Sequence, residues 1–208
     1  MLLRLGLLLA PAGLLLADTA VYELRPTSGS RFALMVEKTG LLSGKTHVFL
    51  FERYQGTLVY DPAFPESSRV ELALDAASAA CQDTWVSEKD RKKIQDYALH
   101  DMLAVEKYPQ MQFASTGVVR TGEKSFSVPG MLTIRGIAMP VTVSVALETQ
   151  PDGLASVTGR AVVRMKDYGL KPPRAALGAI GTKNEMTVEF LLLLPAAGME
   201  LTQAEKRP

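Results

Sequence analysis

Stretch after stretch of this chain alternates apolar and polar residues with a period of two, and in each the apolar positions share one face. Phe32, Leu34 and Val36 oppose Arg31, Ala33, Met35 and Glu37, and Val70, Leu72 and Leu74 oppose Arg69, Glu71, Ala73 and Asp75. Phe126, Val128, Leu132 and Ile134 share a face across Ser125 to Arg135. Val141, Val143, Val145 and Leu147 oppose Thr142, Ser144, Ala146 and Glu148, and Met186, Val188, Phe190 and Leu192 oppose Thr187, Glu189 and Leu191. Successive side chains of a strand point to opposite sides, so each stretch reads as a strand with one buried face.

Turn signals separate these runs: Asp61-Pro62 with Pro65, Thr121-Gly122, Gly136, and Pro151-Asp152-Gly153 between Val141 to Leu147 and Ala155 to Val163. The reading is eight or nine strands joined mostly by hairpins. One-sided antiparallel strands need a common interior, which either a two-sheet sandwich or a closed barrel provides. With 208 residues, 47% of them hydrophobic, the chain has material for one domain with a substantial core.

One segment breaks the β pattern. Ser87 followed by Asp90 forms a capping-box-like start, and Ile94, Ala98 and Met102, with Tyr97, recur at helical spacing. The remaining positions, Glu88, Lys89, Arg91, Lys92 and Asp96, are charged and belong in water. The pattern predicts an amphipathic helix lying against the outside or one mouth of the β structure, with Pro109 ending any continuation.

The N-terminus predicts an address. Arg4 precedes a twelve-residue apolar run, Leu5 to Leu16, broken by Pro11 and Gly13. That is the length of a signal-peptide core and short of the roughly 20 residues of a membrane span. The domain reading is therefore a signal peptide over 1–20, one β domain over 21–195 and a polar tail over 196–208, in a periplasmic or secreted protein. Cys81 is the only cysteine, far from the signal, so it offers no lipid anchor and no internal disulfide. A formal net charge of +1 supplies no field for nucleic acid, which is excluded as a partner.

Several motifs occur in a telling order: Gly40-Leu41-Leu42-Ser43-Gly44-Lys45-Thr46-His47, Tyr54-Gln55-Gly56-Thr57-Leu58, the charged helix, then Glu106-Lys107-Tyr108-Pro109-Gln110-Met111-Gln112-Phe113-Ala114-Ser115-Thr116. Gly130 to Gly136 and Lys166-Asp167-Tyr168-Gly169-Leu170 follow. In this order the chain resembles the YceI-like family of exported proteins from about Tyr22 to Leu194. The resemblance implies an antiparallel, eight-stranded lipocalin-like β-barrel with one helical insertion. It also implies a non-catalytic carrier of a polyisoprenoid, an isoprenoid quinone or polyprenyl lipid, acting as monomer or homodimer with at most transient membrane contact. Two departures stand out: Arg25-Pro26-Thr27-Ser28 lacks the histidine of the family's D-P-x-H-S segment, and Gly44-Lys45-Thr46-His47 keeps one histidine of its G-H-x-H.

The candidate binding residues follow from the strand faces. Phe32, Phe49, Phe51, Tyr60, Phe113, Phe126 and Phe190 would line the interior with aromatic rings, as small-molecule cavities usually are lined. Leu34, Val36, Leu58, Val128, Leu132, Ile134, Val143 and Val145 fill the positions between them. A packed core shares this alternation, and only the resemblance selects a hollow interior. His47, Lys166, Asp167 and Tyr168, with Tyr60, are the candidates for a polar head-group end.

Chemistry of other kinds finds little material. The two histidines, His47 and His100, are not at ligand spacing for a metal, and no G-x-S-x-G nucleophile turn occurs. Gly122-Glu123-Lys124-Ser125 lacks the phosphate-loop frame. No catalytic residue, metal or cofactor is expected. The rival readings are an envelope interaction or stress protein with a filled barrel, and a barrel enzyme using His47 as acid or base.

Overall fold

The structure, a computed structural model, describes residues 19–61, 63–149 and 154–195. The signal reading up to residue 18, the polar tail from 196, Pro62 and the turn at Pro151-Asp152-Gly153 lie outside the described residues.

The strands are β1 (Ala20–Leu24), β2 (Arg31–Gly40), β3 (Thr46–Phe51), β4 (Tyr54–Tyr60), β5 (Arg69–Asp75) and β6 (Ala79–Cys81). Helix α1 (Glu88–Asp96) comes next, and then β7 (Gln110–Ser115), β8 (Val119–Arg120) and β9 (Ser125–Ile134). The chain ends with β10 (Ile137–Thr149), β11 (Leu154–Arg164), β12 (Arg174–Ala175) and β13 (Ile180–Pro195).

The pairing order returns to its start. β1 pairs with β4 while β2 pairs with β3, so β1 and β2 are two arms of one bent strand and β3 and β4 two arms of the next. β5 and β6 are arms of a third, pairing with β4 and β3 respectively. From β5 the ladder runs through β7, β9, β10, β11 and β13, and β13 pairs with β2. Three bent strands and five straight ones, eight in all, thus form an antiparallel barrel, with β8 and β12 as short additions to β9 and β13. Curling the sheet this way leaves only short edges, along β1 and β6, that could template aggregation.

Each bend has a local cause. Between β1 and β2, Gly29 takes φ +87° and its missing side chain leaves room for Leu193, whose Cδ1 would lie 2.9 Å from an added Cβ. Between β5 and β6 the 3-10 turn Ala76–Ser78 is capped by Asp75, whose Oδ1 accepts from the Ala77 N–H at 2.9 Å. Ser78 Oγ accepts from the Arg53 N–H at 3.1 Å, tying that turn to the bend between β3 and β4. The β9–β10 hairpin turns on Arg135 and Gly136, both at positive φ (52° and 75°), the twist that a tight two-residue hairpin demands.

The helix begins where the sequence places it: Ser87 is the N-cap and its Oγ accepts from the Asp90 N–H at 3.1 Å. After Asp96 it widens into a π-helical segment, Tyr97–Leu103. It stops at Ala104, whose left-handed φ of 51° ends the helix before Pro109 is reached. Proline is therefore not the terminator; it only leads the chain into β7.

Side chains fasten this insertion to the barrel. Gln95 Oε1 accepts from the Cys81 N–H at 2.6 Å and its Nε2 donates to the Ala79 carbonyl, so one amide takes the place of a neighbouring strand along β6. Arg135 donates to the Met102 carbonyl at 3.1 Å and Trp85 Nε1 to the Thr46 carbonyl at 3.1 Å. Cys81 is buried and free, and burial pushes its thiol above the ordinary range.

Candidate functional site: an apolar cavity inside the barrel

Since every strand is two-sided, the barrel has one inward row per strand, and these rows enclose a cavity of about 450 Å³. This lies within the span of about 300–1,000 Å³ usual for small-molecule sites. On β2 the wall carries Phe32, Leu34 and Val36, and on the bent strand of β3 and β4 it carries Phe49, Phe51, Leu58 and Tyr60. β7 contributes Phe113, β9 contributes Phe126, Val128, Leu132 and Ile134, β10 contributes Val143 and Val145, and β13 contributes Phe190. The structure thus brings together every apolar candidate named from the strand faces.

Two glycines shape the interior. An added Cβ at Gly159 would lie 2.0 Å from the Phe190 ring, and one at Gly130 would lie 2.4 Å from the Phe113 ring. Each phenyl ring occupies space that a side chain on the neighbouring strand would otherwise fill. Phe190 in turn stacks on Phe32 at 5.4 Å, and Phe51 meets Phe32 edge-on at 6.2 Å.

The helix closes one end of the cavity. Ile94, Tyr97, Ala98 and Met102 line it, so the apolar stripe faces the interior at a mouth, one of the two placements predicted. Its period carries into the π-helical segment, whose wider turn keeps Met102 and Leu103 against the barrel.

Polar chemistry gathers at the same end. His47 lines the cavity, and its Nδ1 lies 2.5 Å from Asp83 Oδ2. The Asp83 side chain is 0% exposed and that of His47 12%. Asp83 Oδ1 accepts from the Val48 N–H at 3.0 Å, and the His47 ring lies 5.2 Å from that of Trp85. Lys38 continues the inward row of β2 into the cavity wall. Desolvation holds its ammonium below the usual lysine range, while the Asp83 charge pulls the other way.

Of the other head-group candidates, Tyr60 lines the cavity, whereas the three in the turn after β11 stand apart from it. Lys166, Asp167 and Tyr168 form a 3-10 turn after β11, and none of them lines the cavity. Lys166 is exposed and takes the Asn184 side chain on its backbone N–H at 3.1 Å, and Asp167 accepts from Arg164 at 2.9 Å. Tyr168 is buried at 2% exposure as part of the core, and burial, with the Asp167 charge, raises its phenol. This motif is a turn that packs the barrel end. His100 is solvated and pairs with Glu106.

Lys38, Asp83 and Trp85 escape a sequence reading. The alternation of β2 extends to Lys38 and is the one signal that points to it. Asp83 and Trp85 sit in a loop with no periodicity and meet His47 only through the fold.

The YceI-like domain matches residues 22–192. A UPF0312 protein of Pseudomonas putida (strain W619) is 34% identical over 130 residues, 60% of this chain and 64% of that protein, so the match spans less than two thirds of such relatives. The crystal structure of Burkholderia cenocepacia BcnA superposes with a TM-score of 0.64 at 21% identity, covering 80% of this chain and 96% of that one. A Saccharophagus degradans structure, described as a polyisoprenoid binding domain implicated in plant cell wall breakdown, gives 0.56 at 13% identity, over 85% and 99% of the two chains. These structures share the fold, and the match of sequence over nearly the whole barrel places this chain in the YceI-like family.

Proposed function

We propose that this protein binds a long-chain amphiphile of the polyisoprenoid kind in its barrel and sequesters or carries it without covalent chemistry. The observation that carries this reading is the continuous apolar cavity, walled from Phe32 on β2 around to Phe190 on β13 and closed at one end by the helix. A barrel acting only as an interaction surface has no use for such a volume. The polyisoprenoid description attached to the Saccharophagus degradans domain supports the ligand class.

Energetics favour such a cargo. Burying a methylene is worth about 0.8 kcal/mol, so each isoprene unit contributes roughly 3 kcal/mol before association costs. Apolar burial is nearly indifferent to chain identity, which leaves selectivity to cavity length and to the polar end.

Native mass spectrometry of the protein purified gently from its host, followed by organic extraction, tests the reading. A stoichiometric extra mass that extracts as an isoprenoid quinone or polyprenyl lipid is the expected result. A bare polypeptide mass, unchanged after incubation with such lipids, contradicts it. Export to the periplasm or medium belongs to the same proposal and is supported by the signal-like run Leu5 to Leu16. N-terminal sequencing of the periplasmic protein should then start near Ala20, and an intact Met1 in the cytosolic fraction would refute export.

A further inference from the structure

We propose that the helix end of the cavity is an anion-binding head-group station, in which Lys38 and the Asp83-held His47 take the carboxylate or phosphate of a ligand whose tail fills the barrel. This rests on the carrier reading above and specifies which class of amphiphile is carried.

The first ground is placement. Val36 is paired across the ladder with His47, and the Lys38 N–H donates to the Lys45 carbonyl at 2.8 Å. Lys38 and His47 are therefore diagonal neighbours on the same inward face, within reach of one another's long side chains. Both line the cavity.

The second ground is an imbalance of partners. Among the described residues the Lys38 ammonium has neither a carboxylate within ion-pair distance nor a hydrogen-bond acceptor, whereas Lys93, which also lines the cavity at the helix end, is exposed and pairs with Asp90, and Lys183 pairs with Glu37. Asp83 cannot serve the ligand side, because its two oxygens are engaged by His47 and by the Val48 N–H. Asp83 instead fixes the imidazole through Nδ1, which leaves Nε2 for the cavity, where the doubly protonated ring donates to an anion. A cation desolvated in an apolar wall is unfavourable until an acceptor reaches it. The acceptor that fits is a charged oxygen group at the end of an apolar chain. Thr182, also on this wall, is occupied, its hydroxyl donating to the Pro173 carbonyl at 3.3 Å.

The competing location is the opposite end, where Arg69 lines the cavity but is exposed to water. Solvent already satisfies its guanidinium, so a head group gains less there.

The test uses three ligands with one tail: geranylgeranyl phosphate, geranylgeranoic acid and geranylgeraniol. Their affinities are measured by calorimetry for the wild type, Lys38→Met, Lys38→Arg and Arg69→Met. Emission of Trp85, the only tryptophan, reports occupancy beside His47. The expected result is that the wild type binds the phosphate or the acid about tenfold tighter than the alcohol. Lys38→Met erases that preference without weakening the alcohol, Lys38→Arg keeps it, and Arg69→Met leaves it intact. Whichever anion binds tighter names the head group. Should Lys38→Met not fold, Lys38→Gln gives the same reading.

Equal wild-type affinity for all three ligands, or a preference that survives Lys38→Met or vanishes with Arg69→Met, overturns the station and leaves the carrier intact. Failure of the wild type to bind even the alcohol overturns the carrier reading and the station with it.

Discussion

The two ends of the barrel are finished by different means. At the helix end, side-chain hydrogen bonds join residues 14 to 39 positions apart: Gln95 to β6, Arg135 to Met102, Asp83 to His47 and Trp85 to Thr46. At the other end the β4–β5 loop is held locally, with Asp61 Oδ1 accepting from the Ala63 and Phe64 N–H groups and Ser68 Oγ from the Asp61 N–H, across two to seven positions. The long-range bonds there, Ser115 Oγ accepting from the Val70 N–H and Ser30 Oγ from the Leu193 N–H, merely extend the β5–β7 and β2–β13 ladders. A buried network that spans the fold fixes geometry, and a local turn only closes a loop. The helix is thus a fastened plug, and Lys38 and the Asp83-held His47 sit at the end it closes.

The sharpest way to break this contrast is Asp83→Ala. It leaves His47 and the Val48 N–H without their buried acceptor and should cost about 3 kcal/mol, while Asp61→Ala, in the local turn, should cost less than about 1 kcal/mol. Thermal unfolding reads the difference as a drop of about 6–12 °C against one of a few degrees. Equal drops would mean that the ends are not distinct.

Next in size is Gly159→Val, which drives a branched side chain into the Phe190 ring and disturbs its stack on Phe32. Overpacking of this kind costs about 2 kcal/mol, visible as a lower midpoint in urea, and it should also expel cavity ligands. A smaller loss, about 1–2 kcal/mol, is expected for Gln95→Ala, which bares the β6 edge. Amide exchange at Cys81 should accelerate in that variant while exchange in β4 and β5 stays slow. Uniform acceleration would show that the helix is not an independent clamp. Ser87→Ala removes the helix cap and should cost about 1 kcal/mol, with the loss confined to the insertion in the same exchange measurement.

How much of this was legible in the sequence depends on how local each signal is. Strand faces were legible, because alternation at Phe32, Leu34 and Val36 or Val141, Val143 and Val145 records which side is buried. The bends were not. Inward residues change parity across Glu52 and Arg53, from Phe49 and Phe51 to Leu58 and Tyr60. One long strand therefore reads as two, and three such bends, with β8 and β12 as short additions, are why thirteen strand segments resolve into eight. The cap at Ser87 was legible as a local pattern, while the left-handed stop at Ala104 carries no residue signature, since alanine does not favour that conformation. Lys166, Asp167 and Tyr168 look like a site because three functional groups are adjacent. Adjacency in a turn sends them in different directions, and only Tyr168 turns inward to the core. His47 was visible alone, but its partners Asp83 and Lys38 reach it through pairing of distant segments.

Whether the interior is a hollow that holds an apolar chain is decided by native mass spectrometry of the wild type beside Gly159→Val, both purified from the same host. The wild type should carry one lipid per chain, and the folded variant should be bare. A wild type without cargo, or a variant that retains the same cargo, would contradict the account.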